Sequence, residues 1–141
     1  MNPQEEPIKK FHPHPFYFLL FYLSGIGFIV VSFFFLSYFL ILLMTGLFVL
    51  ALGEIARRAE TFYVFENGVA REYKLLSTSR KFIEYDKIQD LEVSQSFFEN
   101  ILGIGSVDFD TAGSDAIEMT FHGVKNPYDL EKTIREKMKK V

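Results

Sequence analysis

Cysteine is absent from the 141 residues. Disulfides, thiol nucleophiles and cysteine-ligated metals are therefore excluded, and the composition suits a reducing compartment. A basic surplus is missing too. Lys and Arg number 15 against 18 Asp and Glu, a net charge of −3, with the two signs interspersed. Broad nucleic-acid binding needs a clear positive excess, so this balance argues against it. The third absence is local: residues 16–53 carry no charge at all.

That uncharged run is rich in Phe, Leu, Ile and Val, and it is about twice the 18 residues that suffice to suggest a membrane span. As one helix it would reach about 57 Å, against a hydrocarbon core of about 30 Å. Tilting does not absorb that difference. Two spans of about 17 residues each, folded back as a hairpin, fit the run better. A secretory signal is excluded because its apolar core runs to only about 7–15 residues. The reversal is expected in Phe33-Phe34-Phe35-Leu36, between Ser32 and Ser37. That register sets Ser24 level with Thr45 and Gly25 near Met44, with the two hydroxyl residues expected to face each other.

Residues 1–15 form a polar lead in which Pro3, Pro7, Pro13 and Pro15 argue against a regular helix. Lys9 and Lys10 flank one end of the apolar run, and Arg57 and Arg58 the other. Basic residues mark the cytoplasmic side, so both termini are expected in the cytoplasm of a multi-pass cell-membrane protein. Residues 54–60 read as a charged juxtamembrane link that extends the second helix.

From residue 61 the pattern turns to alternation. Strands are expected at 61–65, 69–74, 81–85, 88–94 and 105–111, with a sixth from about 117. Glu66-Asn67-Gly68 supplies a tight turn, and residues 77–79 read as a loop. Ser96 and Glu99 have capping-box spacing for a helical turn that Gly103 ends. Asn126-Pro127 opens a last helix whose acidic residues come early and basic residues late. Leu130, Ile134, Met138 and Val141 give it an apolar stripe. The expected architecture is a two-helix transmembrane hairpin followed by a small α+β domain at 61–141.

Tyr63-Val64-Phe65-Glu66-Asn67-Gly68-Val69 and Tyr85-Asp86-Lys87-Ile88-Gln89-Asp90-Leu91-Glu92-Val93-Ser94-Gln95-Ser96 carry a family resemblance. Gly103-Ile104-Gly105-Ser106-Val107, Thr111-Ala112-Gly113 and Val124-Lys125-Asn126-Pro127 extend it. The chain resembles the membrane-anchored bacterial and archaeal pleckstrin-homology-like proteins of the YdbS-like type. The resemblance implies a split β-barrel closed by the C-terminal helix, and no established biochemical activity.

Chemistry finds little support. No Ser-His-Asp or His-Glu-x-x-His arrangement occurs, and His122 lies on the polar side of its strand without a visible partner. No catalytic residue, metal ligand or cofactor is therefore assigned. His12-Pro13-His14 lacks a third ligand, and Gly103-x-Gly105 precedes a strand where a phosphate loop needs a helix. Asp108, Asp110, Asp115 and Glu118 do not match a calcium loop and read as a solvated acidic face. Phosphoinositide-binding relatives use a basic first hairpin, whereas this one is Glu66-Asn67-Gly68. Arg71, Lys74, Arg80 and Lys81 flank the second loop instead, and with Arg57, Arg58 and Phe98 they are the candidate lipid or partner contacts. The expected role is a non-enzymatic protein-interaction or scaffolding module, open to homo-oligomerisation. The alternative is a sensor of anionic lipid headgroups at the inner membrane face.

Overall fold

The computed structural model describes residues 6–113 and 117–141. A 3-10 turn at Pro15–Phe18 leads into α1 (Leu19–Ser32), and a second at Leu36–Tyr38 leads into α2 (Phe39–Ala59). The reversal falls where the serine-flanked Phe run predicts it. Phe33 and Phe34 donate back to Val30 and Val31 carbonyls at 3.2 and 3.0 Å, closing the last turn of α1. Both helices are long and apolar enough to cross a membrane, and only 11% of each is buried. Helices that formed the core of a soluble domain would be mostly buried.

The seam between α1 and α2 differs from expectation. Ser24 and Thr45 are both exposed, and each hydroxyl donates to its own helix, to Phe21 O at 3.0 Å and Ile41 O at 2.8 Å. Gly25 and Gly46 meet instead: a Cβ on Gly46 would lie 2.8 Å from Gly25 O. Gly53, two turns further along the same face, would bring a Cβ within 3.0 Å of Phe21 Cβ. Backbone approaches backbone where side chains are absent, whereas a hydroxyl satisfied by its own carbonyl gains little from a seam position.

α2 passes without a loop into β2 (Glu60–Val64), followed by β3 (Gly68–Lys74) and β4 (Thr78–Glu84). β4 begins at Thr78, so residues 78 and 79 are strand where a loop is expected and the strand starts three residues before its expected position at 81. The Thr78-Ser79-Arg80 sequence belongs to a solvated edge and shows no apolar alternation. The larger departure is β1 (Lys9–Phe11), which pairs antiparallel with β2 in the register Lys9↔Val64, Lys10↔Tyr63, Phe11↔Phe62. Pro7 and Pro13 bracket this short strand without entering it, so they limit its length and do not prevent it. The first sheet runs β1-β2-β3-β4. The second runs β5-β6-β7, from β5 (Ile88–Ser94), β6 (Ile104–Thr111) and β7 (Met119–Lys125). Ser114 and Asp115 of the expected turn before β7 lie outside the described residues.

Among the described residues no ladder joins the two sheets, so the barrel is split and not closed. α4 (Pro127–Met138) packs with the core through Leu130 and Ile134. Phe62 stacks on Phe121 at 4.5 Å, Phe109 meets Phe121 edge-on at 4.8 Å, and Phe11 adds its ring 5.5 Å from Phe62. The buried Tyr85 hydroxyl is satisfied by Phe65 O at 2.8 Å. Val141 falls outside the apolar stripe and is exposed. Asn126 occupies the cap position in the left-handed region (φ 50°), and its side chain makes no capping bond. α3 (Phe97–Leu102) follows its expected chemistry: Ser96 and Glu99 form the capping box, and Gly103 ends the helix at φ 68°.

Candidate site at the hairpin end of the domain

Polar and aromatic contacts cluster where the lead and the hairpin meet the domain. Glu54 accepts from Arg57 at 2.7 Å, Arg58 at 2.6 Å and the Tyr22 hydroxyl at 2.8 Å. Spacings of three and four residues on α2 bring the two arginines to Glu54, and Tyr22 reaches it from α1. Arg57 and Arg58 thus share one carboxylate, and Arg57 is the more enclosed of the two. His12 Nδ1 lies 2.8 Å from Glu60 O, and the His14 N–H donates to Gly123 O at 2.8 Å. Tyr17 stacks on His122 with ring centroids 5.1 Å apart and planes 17° from parallel.

Gly123 is required twice over at this point. Its φ is 59°, and a Cβ there would lie 2.9 Å from Tyr17 Cβ and 3.0 Å from His14 N. Burial pushes the His122 imidazole below its ordinary pKa, and burial with the nearby Lys125 charge does the same to His14. A neutral His14 agrees with its Nδ1 accepting the Phe16 N–H at 3.3 Å.

The basic residues around the second loop do not form one face. Arg71 and Lys81 are cross-strand partners, whereas Arg80 pairs in register with Glu72. Arg71 forms an ion pair with the buried carboxylate of Glu60, Lys74 pairs with Glu72 at 3.3 Å, and Lys81 reaches Glu118 O at 2.9 Å. Arg80 lies over the rings of Tyr63 and Phe65, 5.2 and 5.6 Å from their centroids. Each of the four thus has a partner within the domain. Phe98 is 74% exposed and Phe97 75%, with their rings edge-on to each other at 5.5 Å.

A groove of about 290 Å³ opens between β1, the end of β7 and the start of α4. Lys9 and Lys125 give it a cationic rim beside the neutral His14, Phe11 and Leu130 an apolar wall, and Asp129 one carboxylate. β1 and β7 are each at the edge of a sheet, which leaves this side of the split barrel unsealed. The sequence gives almost no signal of the groove, because β1 is only three residues long and lies far from Lys125 in the chain. The His12-Pro13-His14 spacing is the one local hint, and its histidines serve the docking of the lead.

Among the described residues, no group of three or more His, Asp or Glu is placed to hold a metal ion. Asp108 accepts from the Thr120 hydroxyl at 2.6 Å. Asp108 stands opposite Glu92 and Asp110 opposite Asp90, so like charges face each other across β5 and β6. Asp115 lies outside the described residues. Gly103 and Gly105 have structural roles: the first ends α3, and a Cβ on the second would meet Gln95, Ser94 O and Pro127 within 3.0 Å.

A family model described as "Bacterial PH domain" matches residues 18–138, most of the chain. Among solved structures, the fold is similar to that of a protein with a pleckstrin-homology domain from Shewanella loihica. The identity is 13%, the TM-score 0.46, and the match covers 56% of this chain and 70% of that one. No curated protein matches the chain.

Proposed function

The chain belongs to the bacterial PH domain family, and we propose that it is a non-enzymatic interaction module anchored in the cell membrane. In this reading the α1–α2 hairpin crosses the bilayer twice. Its exposed apolar surface needs a lipid covering, and its antiparallel helices put Lys9, Lys10, Arg57 and Arg58 on one side. By the excess of basic residues, that side is cytoplasmic. The groove between β1 and α4 receives an extended segment of a protein partner. The observation that carries this is the open edge, where the two edge strands β1 and β7 border an apolar wall with lysines at its rim. Sheet edges and helix-bordered grooves are recurrent seats for extended peptides. A fitting segment presents a carboxylate to Lys9 or Lys125 and an apolar side chain to Phe11 and Leu130. Tethering to the membrane raises the effective concentration of a partner held in the same plane, so a modest site suffices.

A second reading, recognition of anionic lipid headgroups, draws on the same two lysines and their place beside the hairpin. It does not draw on Arg71 or Lys81, which are engaged within the domain. Photo-crosslinking residues at Lys9 and Lys125 of the full chain in native membranes separate the two. A discrete protein adduct at both positions, absent from a control at Glu84, is expected. Lipid adducts alone would favour the second reading, and no adduct at either position would remove both.

A further inference from the structure

Six large apolar side chains outside the hairpin are exposed in two short segments: Leu75 and Leu76, then Phe97, Phe98, Ile101 and Leu102. The first pair forms the turn between β3 and β4. Glu60, the residue after α2, stands opposite Tyr73. The chain beyond Tyr73 therefore extends past the start of β2 and back alongside the last turn of α2. The β3–β4 turn that carries Leu75 and Leu76 therefore lies on the side from which α2 enters β2.

The other four residues belong to α3. Gly103, which ends it, accepts from Asn126 N–H at 2.9 Å, and Ile104 pairs with Lys125. α3 therefore sits beside the end of β7, whose Gly123 bonds His14 and packs under Tyr17 in the first turn of the hairpin. Both segments thus lie at the end of the domain from which the hairpin leaves. Neither packs inward, and Leu76 is fully exposed. Loops that only connect strands usually carry polar turn formers at such positions.

We propose that the β3–β4 turn and α3 are two membrane-contact points, dipping their apolar side chains into the headgroup layer of the leaflet from which the hairpin emerges. Their occupant is the lipid surface itself. The inference rests on the hairpin spanning the bilayer and is distinct from the groove. Phe at the membrane–water boundary and short apolar faces lying in the interface plane are the recurrent chemistry of such contacts. With the hairpin as a third attachment, two dipping points fix the tilt of the domain and the direction in which the groove opens.

The chain has no tryptophan, so each single Trp substitution supplies the only indole. Leu76→Trp, Phe98→Trp, Phe28→Trp within α1 and Glu66→Trp at the far β2–β3 turn are each reconstituted as the full chain. The vesicles are phosphatidylcholine brominated either near the headgroup end of the acyl chains or deep within them. Trp at 76 and at 98 is expected to shift to the blue and to be quenched by shallow bromines more than by deep ones. Trp at 66 should be unaffected, and Trp at 28 should be quenched by deep bromines. Quenching at 28 with none at 76 or 98, or at only one of them, overturns the two-point contact and leaves the hairpin standing. A blue shift at 98 without quenching means a protein covers α3, and it also overturns the proposal. No quenching at 28 removes the spanning hairpin and this inference together.

Discussion

Tyr17, in the first turn of the hairpin, stacks its ring on His122 of β7, 5.1 Å away and 17° from parallel. The stack joins an apolar helix to the outer face of a sheet that begins far away in the chain. The adjoining glycine makes the approach possible. Gly123→Ala would place a Cβ 2.9 Å from Tyr17 Cβ at a positive φ. The variant is expected to lose about 1–2 kcal/mol from backbone strain, with the steric clash adding to it. Faster proteolysis between residues 12 and 20 of the full chain would register the release of the lead.

The histidines at this junction give the domain a pH dependence. Burial, aided by Arg71 and opposed by the carboxylates of Glu60, Asp108 and Glu99, holds His122 below its ordinary value, and burial with Lys125 holds His14 there. A folded state that binds protons less readily than the unfolded state loses stability as pH falls through the unfolded value of about 6.5. Below the depressed folded values the loss levels off. Urea midpoints are therefore expected to drop between pH 7.5 and 5.5. The double variant His14→Gln and His122→Gln should flatten that slope, and an unchanged slope would contradict the assignment.

Arg71 and Lys81 face each other across β3 and β4, yet their removal should differ in cost. Arg71→Ala strands the buried Glu60 carboxylate and is expected to destabilise by about 1–3 kcal/mol. Lys81→Ala opens an exposed pair with Glu118 and should cost about 0–1 kcal/mol. Equal losses in chemical denaturation would contradict this ranking.

Ile134 is fully buried against the core, whereas Val141 is exposed. Ile134→Ala should destabilise by about 2–5 kcal/mol, and Val141→Ala should stay within about 0.5 kcal/mol.

In the hairpin, engineered cysteines at Ser24 and Thr45 should not form a disulfide under mild oxidation, because both side chains point away from the seam. Gly46→Leu should separate the helices and lower thermal stability in detergent, since even a Cβ there meets Ile29 Cγ1 at 2.7 Å.

Elements with strong local chemistry were legible in the sequence: the charge-free run, the Asn67-Gly68 turn, the Ser96–Glu99 capping box and the Leu130–Ile134 stripe. Each is specified within a few residues of itself. β1 was not legible, because three residues between prolines become a strand only when Phe62 and Tyr63 lie alongside. The hairpin seam was misread for a related reason. Aligning the two helices from the turn brought hydroxyls level, but the choice of face belonged to glycines that contribute no side chain. The groove depends on β1 and inherits its invisibility. Arg71, Lys74, Arg80 and Lys81 read as a basic cluster along the chain, and cross-strand register then divided them between faces and partners.

In the proposed arrangement the hairpin crosses the membrane and leaves the domain on the cytoplasmic side. Because the chain has no cysteine, single cysteines at Phe34 in the turn and at Glu66 in the domain can be labelled with a membrane-impermeant maleimide in intact cells. Labelling at 34 from outside, with labelling at 66 only after permeabilisation, is the expected result. Labelling of both positions in intact cells, or of neither until the cells are opened, would contradict it.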